Sequence, residues 1–302
     1  TSGFYNSAIG DSALQNCGGS YNTAVGSKAA VNHYSTKSNV AVGYGALYSA
    51  TWAGTNTAIG YQANYSDVGD AAGGLMNLVA DSNTSFGYQS LFLNISTYIN
   101  DFNIPYAGLG KYNTGMGAKA LYANVDGFDH LAIGAGALSE KNVLYGNAAF
   151  GYFAHSSGLG GFNSAVGANS LRYSKGANNV GVGWGTGNTA DSGNIFLGYQ
   201  AGYNETGDAK LYIANNSNNA LIYGDFGTGY LGINTLFPNS ELSINTSAVG
   251  SKITLFDNGS LTEHFGMGVS PDQFNYHLQK SKSNISSHVF YVGGKNGDGL
   301  EL

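Results

Sequence analysis

One cysteine, three prolines and a charged fraction of 10% make a short list of tools for chemistry. With Cys17 alone, the chain forms neither an internal disulfide nor a thiolate metal site, and this says little about compartment. Typical soluble domains are about 25% charged, so this is not the composition of an ordinary enzyme. The formal charge of -6 and the scattered Lys and Arg leave no basic face for nucleic acid. No apolar run reaches the roughly 18 residues of a membrane-spanning helix, so no membrane insertion is expected. A chain beginning at Thr1 without a signal segment is expected to be a piece or processed product of something longer.

What is abundant is glycine, 47 residues, together with 42% hydrophobic and 13% aromatic residues. Disordered chains lack that apolar and aromatic content, so the chain reads as ordered and repetitive. The repetition is explicit. NSAIG (6–10), NTAVG (22–26), NVAVG (39–43), NTAIG (56–60), NTSFG (83–87) and NTGMG (113–117) are followed by HLAIG (130–134), NAAFG (147–151), NSAVG (163–167), NVGVG (179–183) and NIFLG (194–198). Most copies continue with two variable residues, then Ala or Ser, then often Leu. A usual step of about 15–17 residues is too short for helical repeats or propeller blades and suits one coil of a β-solenoid.

Side chains in a strand alternate between faces. The fourth pentad position is always apolar and is expected to fill the coil. The third, mostly Ala or Gly, is expected to leave a bare outer face where another backbone packs. On that reading Ala8, Ala24, Ala41, Ala58, Ala132 and Ala165 line the axis of an assembly. The leading Asn residues are expected to form a ladder along the stack. One large apolar residue per pentad is a thin core against about 1–2 kcal/mol of backbone entropy per residue, which favours self-association over a monomeric solenoid.

The pattern N-[ST]-A-[IV]-G-x-x-[AS] resembles the head repeats of trimeric autotransporter adhesins over about residues 6–200. The resemblance implies a homotrimeric, left-handed parallel β-roll, although the family repeat is nearer fourteen residues. The left hand comes from the resemblance alone, since general chirality rules favour right-handed crossovers. From about residue 210, "KLYIANNS", "ALIYGDFGTGYLGIN", "ELSIN" and "SKITLFD" are short β-rich runs parted by turn residues. This region is similar to the segment preceding the intramolecular chaperone of endosialidase-type phage tail fibres and related surface fibres. It implies strands intertwined among three chains, followed by the segment just before a chaperone that is itself absent. An independent β-sandwich over the last residues is the alternative. The expected organisation is an all-β chain with a β-roll over 1–209, an intertwined connector over 210–249 and a small β domain over 250–302.

No catalytic constellation emerges. There is no G-x-x-x-x-G-K-[ST], no H-E-x-x-H and no G-x-S-x-G, and no cofactor or metal is called for. Asp67 with Asp70, or Asp298 with Glu301, could hold calcium but read better as solvated turn acids. Binding is better motivated. Two steps between pentads are stretched, and the extra residues fall within 64–82 and 92–112. Insertions in a solenoid emerge as loops, often on the binding face. Tyr65, Asp67, Tyr98, Asp101, Phe102, Tyr106 and Tyr112 from these stretches, with Trp52 from the turn before them, are the candidate ligand-binding residues. Aromatic rings beside carboxylates and amides suit sugars, whose C–H faces stack while their hydroxyls hydrogen-bond. The expected partners are further copies of the chain, a host-surface glycan or receptor, and tail or surface-anchoring proteins. The expected setting is extracellular, as a virion tail or cell-surface fibre. Rival readings are a bacterial adhesin and a structural filament with no specific ligand.

Overall fold

The computed structural model describes residues 3–34, 36–50, 54–68, 81–95, 110–125, 127–140, 145–244, 250–257, 264–270 and 273–277. Among them no helix forms, and the chain is a parallel β-solenoid of about ten turns. Each pentad supplies one three-residue strand, and successive strands pair in parallel with no change of register: Ala24 opposite Ala41, Ala41 opposite Ala58, Ala58 opposite Ser85. The two stretched steps add no rung. Thr57 pairs directly with Thr84, and Thr84 with Thr114. A second, 4-stranded parallel sheet, running from Ser49–Ala50 through Ser66–Val68 and Leu93–Ile95 to Ala123–Val125, closes four of the coils.

The coil interior reverses one expectation. The middle residue of the strand points inward: Ala24, Ala41, Ala58, Ala132 and Ala165 are 0% exposed, so they cannot face a neighbouring chain. Ala8 is exposed because it belongs to the first rung. The large apolar residue one place later points outward: Ile9, Phe86, Met116, Phe150, Val166 and Val182 are exposed, and Val25, Val42, Ile59, Ile133 and Leu197 are partly covered. The lumen explains the reversal. Leu47, Leu91, Leu121, Leu138 and Leu171 enter it from the turn opposite the strand, leaving room there for little more than a methyl group. Each buried Leu contributes on the order of 1.5–3 kcal/mol. Where the turn offers Gly187 and Gly202 instead of Leu, the strand offers Phe196, fully buried. A Cβ on Gly202 would sit 2.1 Å from its ring.

The turns rest on left-handed backbone. The lumen-filling leucines all carry positive φ, as do the residues two places before them and those preceding each Asn. A non-glycine residue there costs roughly 1–2 kcal/mol. The end of the pentad admits glycine only: Gly43 has φ +128°, and a Cβ on it would meet the Gly60 carbonyl oxygen at 2.4 Å.

The buried Asn residues hold the rungs together. Asn22 Oδ1 accepts the Asn39 N–H at 3.0 Å, Asn56 Oδ1 accepts that of Asn83 at 2.8 Å, and Asn83 Oδ1 accepts that of Asn113 at 2.8 Å. The chain of bonds continues to the Lys210 N–H, 2.8 Å from Asn194 Oδ1. His130 keeps its place in it, accepting the Asn147 N–H on Nδ1 at 3.2 Å, so its ring proton sits on Nε2. Buried amides are tolerated because these bonds satisfy them.

At the end of the stack Lys210–Ile213 pairs antiparallel with Ile222–Asp225, which pairs antiparallel with Tyr230–Ile233. Lys210 and Asp225 form an ion pair at 2.7 Å, largely shielded from solvent. That hydrogen bond raises the lysine pKa and lowers the aspartate's. The second compact unit, Ile244–Leu302, contains a 3-stranded antiparallel sheet of Gly250–Asp257, His264–Ser270 and Gln273–His277.

Candidate ligand-binding surface

Alternation dictates what the solenoid shows to its surroundings. With Asn and Ala inward, the strand's first and third residues face out, giving one apolar column that includes Ile9, Val42, Ile59, Phe86, Phe150 and Val182. Phe86, at 53% exposed, is one of several large outward side chains that the described residues leave about half uncovered. Just beyond the pentad glycine, a second column carries aromatic rings in six of eleven copies: Tyr44, Tyr61, Tyr88, Tyr152, Trp184 and Tyr199. Parallel stacking brings these into register. Tyr44 lies 5.3 Å from Tyr61, Tyr61 lies 5.5 Å from Tyr88, and Trp184 lies 5.2 Å from Tyr199. A third column is half-buried: Tyr48, Tyr65, Phe92 and Tyr122 stack nearly parallel at 4.9, 5.2 and 5.1 Å. Offset stacking of this kind is worth about 0.5–1.5 kcal/mol per pair beyond area burial.

The candidate residues separate in this frame. Tyr65 is a middle member of the half-buried column, its phenol pKa raised first by burial and then by the neighbouring Tyr48 and Tyr44. The backbone of Asp67 pairs with Ala50 on one side and Asn94 on the other. Tyr112 is exposed with φ 57°, in the residue before Asn113, and among the described residues no ring contact joins it to Tyr65. Trp52, Tyr98, Asp101, Phe102 and Tyr106 lie outside the described residues. Part of what read as insertion is coil: Asn64 and Tyr65 occupy ordinary lumen and ladder positions, as do Leu91 and Phe92, so the extra residues fall after Val68 and after Ile95. The exposed aromatic column was overlooked, although its signal, Tyr or Trp directly after the pentad glycine, is plain in the repeat.

Titratable groups in the interior serve packing. His33 Nε2 donates to the Leu47 carbonyl at 3.0 Å, and the Thr36 hydroxyl lies 2.8 Å from Nδ1. Burial lowers the His33 pKa to about 4, against a smaller opposing effect of that carbonyl. Burial likewise lowers the pKa of His155, which lies 3.0 Å from the Leu171 carbonyl. Tyr212 is pushed well above the ordinary phenol value, first by burial and then by its hydrogen bond to the Glu205 carboxylate. Among the described residues no three His, Cys, Asp or Glu side chains gather as a metal site, and no helix is long and apolar enough to cross a membrane.

No family model, curated protein or solved structure matches the chain.

Proposed function

We infer that the protein is a non-enzymatic, trimeric fibre or adhesin segment that presents aromatic ladders to a surface glycan or receptor, as a phage or phage-like tail fibre. The observation that carries this reading is the outward apolar column: Ile9, Phe86, Met116, Phe150, Val166 and Val182 stand exposed and Val42 and Ile59 are only partly covered by the described residues. Contiguous apolar surface of this kind marks an interaction site, and an isologous or cyclic partner of the same repeat matches it in length and period. Burying the exposed half of such a side chain is worth on the order of 1 kcal/mol, summed along the column. The resemblance to trimeric adhesin heads selects three copies and a left-handed winding. The seam is this column, not the alanines. Tail or surface-anchoring proteins would hold the fibre outside the cell, with the connector over 210–249 intertwined among the copies. The segments after Val68 and after Ile95, with Trp52, remain part of the proposed ligand surface.

Light scattering on two variants tests the assembly. Ile59→Asp places a charge on the seam and is expected to yield folded single copies. Ala58→Leu overfills the lumen and is expected to cost about 1–3 kcal/mol of coil stability instead. A folded Ile59→Asp chain with unchanged mass rules out this seam. Adhesion is tested by binding of the assembled chain to arrayed surface glycans, and end-to-end polymers with no binding would favour the structural filament.

A further inference from the structure

The exposed aromatic column is interrupted beside the point where the half-buried column ends. The exposed column stops at Tyr88, skips two rungs at Ala118 and Ala135, and resumes at Tyr152. The half-buried column ends on Tyr122, because the next rung carries Ser139. Two missing rings leave Tyr88 and Tyr152 three rungs, roughly 14 Å, apart. The result is a cleft of about 320 Å3 with an alanine floor. Tyr88 forms one wall, stacked only on Tyr61 among the described residues. The opposite wall is Tyr152 packed edge-on against Phe153 at 4.4 Å, and that pair is stiffened by the Arg172 guanidinium 4.9 Å from the Phe153 centroid. Lys119, its ammonium 5.3 Å from the Tyr122 centroid, and Glu140 stand at the rim.

We propose that this cleft is a subsite for one neutral pyranose ring of a surface glycan, a proposal that rests on the adhesive reading above. The size fits the lower end of small-ligand sites, about 300–1,000 Å3. The wall chemistry selects the ring. A pyranose offers an apolar C–H face, and here it would take up the stack at the point where Tyr88 leaves it unfinished. Its edge hydroxyls both donate and accept, and the cleft supplies one cationic donor, Lys119, one anionic acceptor, Glu140, and the Ser139 hydroxyl. The opposed charges favour a neutral sugar over an acidic one. The alanine floor is what makes room, since the same position holds Tyr in neighbouring coils.

That equivalence gives the test. Ala135→Tyr restores the ring found at Tyr88 and Tyr152, in a position that accepts it elsewhere, and fills the cleft. Ala168→Tyr makes the same change in the same column outside it. The full chain and both variants are titrated against arrayed surface glycans and against methyl pyranosides in solution, with circular dichroism and scattering mass as controls. The expected result is glycan binding by the native chain and by Ala168→Tyr, weakened at least about tenfold in Ala135→Tyr. Tyr88→Ala, which removes a wall, is expected to weaken it too. Equal binding by Ala135→Tyr overturns the subsite and leaves the adhesive reading standing. No binding by the native chain overturns both. Loss of assembly in Ala135→Tyr would mean that another copy of the chain fills the cleft, which also overturns the subsite.

Discussion

Replacing Asn163 with Ala should open one rung of the solenoid and leave the rest closed. Asn163 Oδ1 accepts the Asn179 N–H at 2.9 Å, while its Nδ2 donates to the carbonyls of Gly160 at 3.0 Å and Gly176 at 3.1 Å. The residue is 1% exposed, so water does not replace what is lost. A buried polar group deprived of its partner costs about 1–3 kcal/mol. With one donor and two acceptors affected and some relaxation, about 3–5 kcal/mol is expected. A solenoid's stability is close to a sum over neighbouring repeats, so the loss should stay local. Hydrogen exchange read by mass spectrometry reports it: peptides covering 160–180 should exchange about a hundredfold faster or more, at about 1.4 kcal/mol per tenfold. Ser164→Ala, one residue away with its side chain facing out, should change exchange little. If the two variants exchange alike, the buried amides do not hold the rungs together.

Phe196→Ala should cost about 3–5 kcal/mol through the cavity it leaves. Adding Gly202→Leu should recover much of that, because leucine occupies the same left-handed turn position at Leu47, Leu91, Leu121, Leu138 and Leu171. A double variant no more stable than Phe196→Ala alone would refute this exchange of volume. For His33, the folded pKa of about 4 lies below the ordinary 6.5. The unfolded chain therefore binds the proton first as pH falls. The stability is complete above about 6.5 and is lost progressively towards 4, on the order of 3 kcal/mol in all. His155, shifted in the same direction, adds to the loss. Denaturant melts at stepped pH should show this decline, and His33→Gln should flatten it; an unchanged slope would exclude His33 as a source.

The period, the parallel stacking and the asparagine ladder were legible because each recurs in nearly every copy, with His130 and two stretched steps as the departures. The choice of inner face was not. Reading bulk as burial put the isoleucines inside, whereas parity alone would have decided it. Asn is buried for its hydrogen bonds, so the alanine two places on shares its side, and Ile59 must face away with Thr57. What the pentad conceals is that Leu47 and its equivalents come from outside the strand to fill the lumen. The cleft was illegible for a different reason. It is made by absences at Ala118, Ala135 and Ser139, which register only once the coils are aligned.

The Asn ladder joins rungs 27 and 30 residues apart in sequence with the same 2.8 Å bonds it uses for rungs 16 apart. The stack is thus indifferent to how many residues separate Val68 from Asp81 or Ile95 from Gly110. Those two intervals are natural splice points, where foreign peptides of differing length could be carried with the register of the rungs unchanged.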